Sequence, residues 1–179
     1  MNYGIDYTYI FIIIGTGVGG AAFIDGNLLK PKRYPGFEFG HMVIKENGIK
    51  CNCGRQGCFE CYASIKRLKE KISQEFSLNT TDGKVIKRFL TENKENKTLN
   101  EMLDTYIKDL TIGLANLINI FEPEAIAIGG SFAHYKETLL ERLKRELKTK
   151  KELYNKENLP QIVLADLKND AGIIGSAML

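Results

Sequence analysis

Residues 7–20 read Tyr7-Thr-Tyr-Ile-Phe-Ile-Ile-Ile-Gly15-Thr-Gly-Val-Gly-Gly20, an aromatic and β-branched run that stops at a cluster of glycines. A run of this kind, with little alternation between apolar and polar residues, is expected of a strand buried on both faces, and such strands belong to sheets covered by helices. Ala21 to Ile24, the turn signal Asp25-Gly26-Asn27 and Leu28-Leu29 extend the reading to strand, glycine loop and hairpin. The loop can offer backbone N–H groups and the Thr16 hydroxyl to phosphate oxygens. It carries no P-loop lysine, and a hairpin rather than a helix follows it, which fits the dinucleotide fingerprint poorly. A plain glycine-rich turn between two strands accounts for it equally well.

Outward from this stretch the period changes. Residues 30–60 hold turn formers and three of the four cysteines with little periodicity, so they read as an irregular segment that a metal could organise. From Cys61, residues Ile65, Leu68, Ile72 and Phe76 mark one face of an amphipathic helix. Val85, Ile86, Phe89 and Leu90 mark a short one, and Leu99 to Ile118 sustain helical spacing as one long helix or two in line. Within that stretch Gly113 is either a weak point or a close packing contact. After Phe121-Glu-Pro123, Ala125 to Ile128 form a second strand that again ends in glycines, Gly129-Gly130. Leu139, Leu140, Leu143 and Leu147 predict a helix, Ile162 to Ala165 a strand, and Asp170 caps a closing helix over Ala171 to Leu179. Strands alternating with helices over 179 residues predict a single α/β domain without internal repeats.

Composition excludes several classes. Hydrophobic residues make up 44% and charged residues 26%, which argues against disorder. A net charge of +3 is too close to balance to argue for a nucleic-acid or membrane partner. The apolar run of residues 7–14 falls well short of the ~20 residues a membrane span needs, and nothing before it looks like a secretion signal, so a cytoplasmic protein is expected. His134 and the Lys144-Arg145 and Lys148 to Lys151 cluster read as surface, the latter because Glu141, Glu146 and Glu152 are interleaved with it.

Cys51, Cys53, Cys58 and Cys61 fall within eleven residues, whereas a disulfide framework would spread along the chain. His41 with Cys51, Cys53 and Cys58 would close a tetrahedral zinc shell with no open position, as structural sites do. Cys51, Cys53, Cys58 and Cys61 would close one equally well, and reduced cysteines without metal are the remaining reading. Gly54 and Gly57 supply the tight turns that let backbone wrap an ion. A metal that gathered residues 41–58 could bring the carboxylates of Glu38 and Glu60 to one pocket, where they would accept hydrogen bonds from sugar hydroxyls, although taken singly each glutamate reads more simply as a surface charge.

Glu38-Phe-Gly40-His41, Cys51-Asn-Cys53-Gly54-Arg-Gln-Gly57-Cys58-Phe-Glu60 and Tyr62-Ala63-Ser64 together resemble the signature of the ROK family of sugar kinases and sugar-responsive repressors. Gly15 to Gly20 is similar to that family's second phosphate loop, Phe121 to Gly130 to its adenosine-binding segment, and Asp170 to Gly175 to its C-terminal helix. The resemblance implies an actin-like, ribonuclease-H-like ATPase domain with a zinc-binding insertion over residues 38–61. It implies that His41, Cys51, Cys53 and Cys58 hold zinc, with Cys61 an alternative ligand. By the same resemblance Glu38, His41 and Glu60 contact sugar hydroxyls, and Thr16, Gly17, Gly129 and Gly130 border ATP bound with Mg2+. Complete relatives have a first lobe with an Asp-x-Gly-Gly-Thr loop and an Asn-Asp pair whose aspartate is the general base. Neither stands in the fourteen residues before the glycine loop, where Asp6 is the sole acid and lies too close to serve.

The expectation is therefore the C-terminal lobe of an ATP-dependent, glucokinase-like hexose kinase, cytoplasmic, homodimeric, and inactive unless an N-terminal lobe, separately encoded or removed, completes it. The sugar-sensing domain of a ROK-type repressor is the alternative, and a zinc-stabilised interaction module a third. None of these readings gives this chain a direct contact with nucleic acid.

Overall fold

The apolar run forms β1 (Tyr9–Ile14), the central strand of a sheet in a computed structural model that describes residues 7–33, 36–150, 153–154 and 157–165. The other strands are β2 (Val18–Ile24), β3 (Asn27–Leu28), β4 (Ala125–Gly129) and β5 (Gln161–Leu164), in the order β3-β2-β1-β4-β5. β1, β2 and β3 form an antiparallel meander, while β4 and β5 add on parallel to β1. The β2–β3 turn places Asp25 and Gly26 at φ 49° and 72°, the left-handed pair that an Asp-Gly hairpin turn requires. This mixed sheet with helices is the α/β architecture expected from the alternation.

Five helices complete the described residues: α1 (Glu60–Ala63), α2 (Ile65–Glu75), α3 (Gly83–Glu92), α4 (Lys97–Phe121) and α5 (Lys136–Thr149). The helix expected to run on from Cys61 is broken at Ser64, whose extended backbone ends α1 and whose hydroxyl accepts the Arg67 N–H to cap α2. The stretch left open as one helix or two is the single helix α4, 25 residues long, started by the Asn96 side chain and stopped by Glu122 at φ 44° ahead of Pro123. Gly113 is the close-contact case, since a Cβ there would run into the Phe59 ring.

Ile10, Ile12 and Ile14 are fully buried, and in the parallel register Ile10 lies beside Ile126 and Ile12 beside Ile128. These residues share one apolar cluster with Leu110 and Leu114 of α4, Leu139 and Leu143 of α5, and the buried residues of α2 and α3. β1 is buried on one face and not, as its composition predicts, on both. Ile13 is 39% exposed, and Tyr9 and Phe11 are only half-buried, because α2, α3, α4 and α5 all contribute to the cluster on the other face. The expected closing helix over residues 171–179 lies outside the described residues. No helix among the described residues is long and apolar enough to cross a membrane.

Candidate metal and ligand site

Gly15, Thr16 and Gly17 make the hairpin turn between β1 and β2, closed where Ile14 pairs with Val18. β4 runs parallel to β1 and pairs Gly129 with Ile13, so Gly129 and Gly130 emerge at the same end of the sheet. A Cβ on Gly15 would stand 3.7 Å from Ser131 Oγ, which puts the two glycine segments side by side. Gly130 has φ 76° and lies against the Ile14 carbonyl, a backbone position that excludes other residues. Thr16, Gly17, Gly129 and Gly130 thus border one region at the carboxyl ends of adjacent strands, where α/β sheets bind ligands.

Glu60 opens α1 and turns its carboxylate to this hairpin. Its Oε2 accepts the Val18 N–H at 3.0 Å, and a Cβ on Gly17 would run into the same carboxylate. From the other side the 3₁₀ turn Phe39–His41 lays Gly40 against the Val18 carbonyl so tightly that no Cβ fits. Val18 therefore ties Glu60 and the His41 turn to one strand end. Glu38 is exposed at the head of that turn, and its carbonyl accepts the His41 N–H at 2.9 Å. Glu60 and the turn that carries Glu38 and His41 thus meet at the first residue of β2, next to the glycine hairpin.

The cysteine segment is folded by backbone hydrogen bonds and special turns. A bridge between Lys50 and Gln56 encloses a turn in which the Cys51 N–H donates to the Arg55 carbonyl at 2.8 Å, with Gly54 at φ 88°. A second bridge sets Val43 against Cys58. One ligand atom each from His41, Cys51, Cys53 and Cys58 then lies within 4.8 Å of the other three. Cys53 and Cys58 Sγ are 3.6 Å apart, as are Cys51 Sγ and His41 Nδ1. Zinc–sulfur bonds of about 2.3 Å at tetrahedral angles place sulfurs about 3.8 Å apart, so the donor set and its spacing fit zinc.

Cys61 stands outside this group. Its buried thiol faces the Lys50 carbonyl at 4.0 Å, which favours the His41 shell over the four-cysteine alternative. Burial pushes the Cys58 thiol up to about 12 and the Cys61 thiol up to about 11. Exposed Cys53 is lowered to about 6 by hydrogen bonds from the Arg55 backbone and side chain. Burial thus opposes ionisation of Cys58, and a cation bound by these ligands would favour its thiolate.

The sequence pattern of the ROK family matches residues 5–179. The chain belongs to the ROK family. This ROK chain is 32% identical over 188 aligned residues to a glucokinase of Halalkalibacterium halodurans, covering 95% of the chain and 55% of that protein. It is 30% identical to a xylose repressor of Caldicellulosiruptor bescii, covering 93% of the chain and 44% of that protein. In structure it is similar to a ROK family glucokinase from Streptomyces griseus in complex with glucose and AMPPNP. That match has a TM-score of 0.81 and 27% identity, covering 99% of the chain and 61% of the neighbour. The ROK chain spans about half the length of the curated relatives it matches.

Outside the site, His134 is exposed and Lys144 pairs with Glu141 on a solvated face of α5, whereas Lys150, expected on the surface with the same basic cluster, is buried just past the helix end. The sequence reading did not single out Lys45 and Asp109, which form an ion pair beneath the cysteine segment. The available signal is Asp109 itself, an acid three residues after Tyr106 and four before Gly113 on the buried face of α4.

Proposed function

We propose that this ROK chain is the C-terminal lobe of an ATP-dependent sugar kinase of glucokinase type, with one structural zinc held by His41, Cys51, Cys53 and Cys58. The observation that carries the reading is the Glu60–Val18 hydrogen bond, because it joins the cysteine segment to the glycine hairpin and makes the sugar-directed and phosphate-directed residues neighbours. Similarity to a glucokinase that binds glucose and AMPPNP supports the same assignment. The Glu38 and Glu60 carboxylates would accept hydrogen bonds from sugar hydroxyls, and His41 would donate a ring N–H to one. Thr16, Gly17, Gly129 and Gly130 would line ATP with close-approaching backbone, and Mg2+ would come with the nucleotide. Zinc would supply cross-linking of the segment, fixing the ring of His41 through its ligating nitrogen.

Phosphoryl transfer depends on in-line positioning and charge stabilisation. In this reading the general base and first phosphate loop belong to an N-terminal lobe, so these 179 residues alone bind but do not turn over. Self-association as a homodimer belongs to the same reading, as does a cytoplasmic setting, which keeps the four free thiols reduced. The test is calorimetry with AMPPNP and with glucose, paired with a coupled hexokinase assay on the isolated chain. Binding of both ligands without turnover is expected, and ordinary steady-state turnover would overturn the lone-lobe reading. The xylose repressor relative favours a second reading, a sugar-sensing domain. Sugar binding with no nucleotide effect on melting would select it.

A further inference from the structure

We propose that Lys45, Asp109 and Tyr62 form a metal-independent brace that holds the cysteine segment against α4 and thereby sets the affinity of the His41–Cys51–Cys53–Cys58 site for zinc. The proposal deepens the zinc reading and rests on it.

Asp109 presents a carboxylate from the buried face of α4, its side chain only 6% exposed. A carboxylate in that position is tolerated only with a partner. Lys45, from the middle of the cysteine segment, reaches it at 2.7 Å between Nζ and Oδ1. The same ammonium lies 4.6 Å from the centroid of the Tyr62 ring, a cation–π contact that fixes its approach. The Tyr62 hydroxyl in turn accepts the Ile49 N–H at 2.6 Å, and Tyr62 is buried in the same small cluster as Cys51, Cys58 and Cys61.

The backbone continues the connection to the metal ligands. The amides of Ile44 and Lys45 both donate to the Gly57 carbonyl, and the Gly57 N–H donates to the Ile49 carbonyl. Gly57 immediately precedes Cys58. Two glycines permit the fit, since a Cβ on Gly57 would run into the Lys45 carbonyl and one on Gly48 into the Tyr62 hydroxyl. Three side-chain contacts and two close-packed glycines thus converge on the loop that carries the ligands.

Separating this pair would leave the buried Asp109 carboxylate without its cation, a cost that penalises every arrangement in which Lys45 is moved away. That property is what a metal site needs from its surroundings. A segment already held in place does not charge its ordering entropy to metal binding, whereas a loose one lowers the apparent affinity by that amount. Lys45, Asp109 and Tyr62 are positioning residues: none of them supplies a ligand atom to the group.

The test uses Lys45→Met, Asp109→Asn and the double variant Lys45→Met/Asp109→Leu. Zinc dissociation constants would be measured by competition with a chromogenic chelator, and amide exchange of residues 42–58 would be followed in metal-free protein. Each single variant is expected to weaken zinc by about tenfold or more and to speed exchange in residues 42–58, with exchange in β1 and β4 unchanged. The double variant should be no worse than either single one, and Lys45→Arg should retain most of the affinity. Unchanged zinc affinity and unchanged exchange in folded variants would overturn the brace. Should either single variant fail to fold, the double variant decides, because it removes the brace without leaving the Asp109 carboxylate unpartnered, and its zinc affinity must still fall below that of the unaltered chain. If the unaltered chain binds no zinc, the zinc reading falls, and the exchange comparison in metal-free protein still decides whether the brace exists.

Discussion

Ile12 of β1 and Cys58 of the cysteine segment are equally sealed from water, both at 0% exposure, yet they are buried by different means. Ile12 belongs to the large apolar cluster spanning the sheet and α2 to α5, where the hydrophobic effect over many side chains supplies the ordering. Cys58 belongs to a cluster of Cys51, Cys58, Cys61 and Tyr62, too small to order fifteen or more residues of irregular backbone. What holds that segment is glycine-permitted backbone contact, one ion pair and, in the proposed function, a metal. The difference teaches that one fold can contain a region that tolerates gradual loss and another that depends on a few discrete contacts.

The sharpest way to break the comparison is to remove the metal ligand. Cys58→Ala should abolish stoichiometric zinc binding by elemental analysis, and a chelator should then leave its melting temperature unmoved, whereas the parent protein loses stability with chelator. Amide exchange should rise in residues 42–58 far more than in β1. The next largest effect is in the other region. Leu114→Ala empties a fully buried site in α4 and should cost about 2–5 kcal/mol in urea unfolding. While folded, that variant should retain unaltered zinc affinity, which keeps the two regions separable.

Between them lies the junction. Gly17→Ala pushes a methyl group into the Glu60 carboxylate and should break its hydrogen bond with Val18, lowering sugar affinity by about tenfold with only a modest loss of stability. Equal sugar affinity by calorimetry would show that Glu60 needs no such placement. The smallest effect is at an exposed cap. The amides of Val85 and Lys84 donate to Asp82 and hold its pKa below 3.8, so its contribution is complete above that value and is lost as pH falls through the lowered one. Asp82→Ala should lower the melting temperature slightly at pH 7, by a difference that shrinks as the pH falls below the ordinary carboxylate range, leaving zinc binding untouched.

Much of this was legible in the chain. The Tyr9–Ile14 strand, the Asp25-Gly26 turn, the long α4 and the glycine ends of β1 and β4 all follow from local composition, because β-branched runs, left-handed turn residues and 3.6-residue spacing act over short distances. The break at Ser64 is also local, but helical spacing through Leu68 and Ile72 masks it. The one-sided burial of β1 and the Lys45–Asp109 pair were not legible, since each depends on residues far apart in sequence.

The same division holds for the site. The spacing of Cys51, Cys53 and Cys58 determined that a metal-binding group was available, because ligand chemistry is a property of residue type. It could not choose between His41 and Cys61, as both are near enough along the chain to reach. Only the fold distinguishes them, by turning Cys61 into α1 toward the Lys50 carbonyl and bringing His41 to within 3.6 Å of Cys51, which favours His41. Residue type determines what can be bound, and packing against a distant strand and helix decides which residues meet.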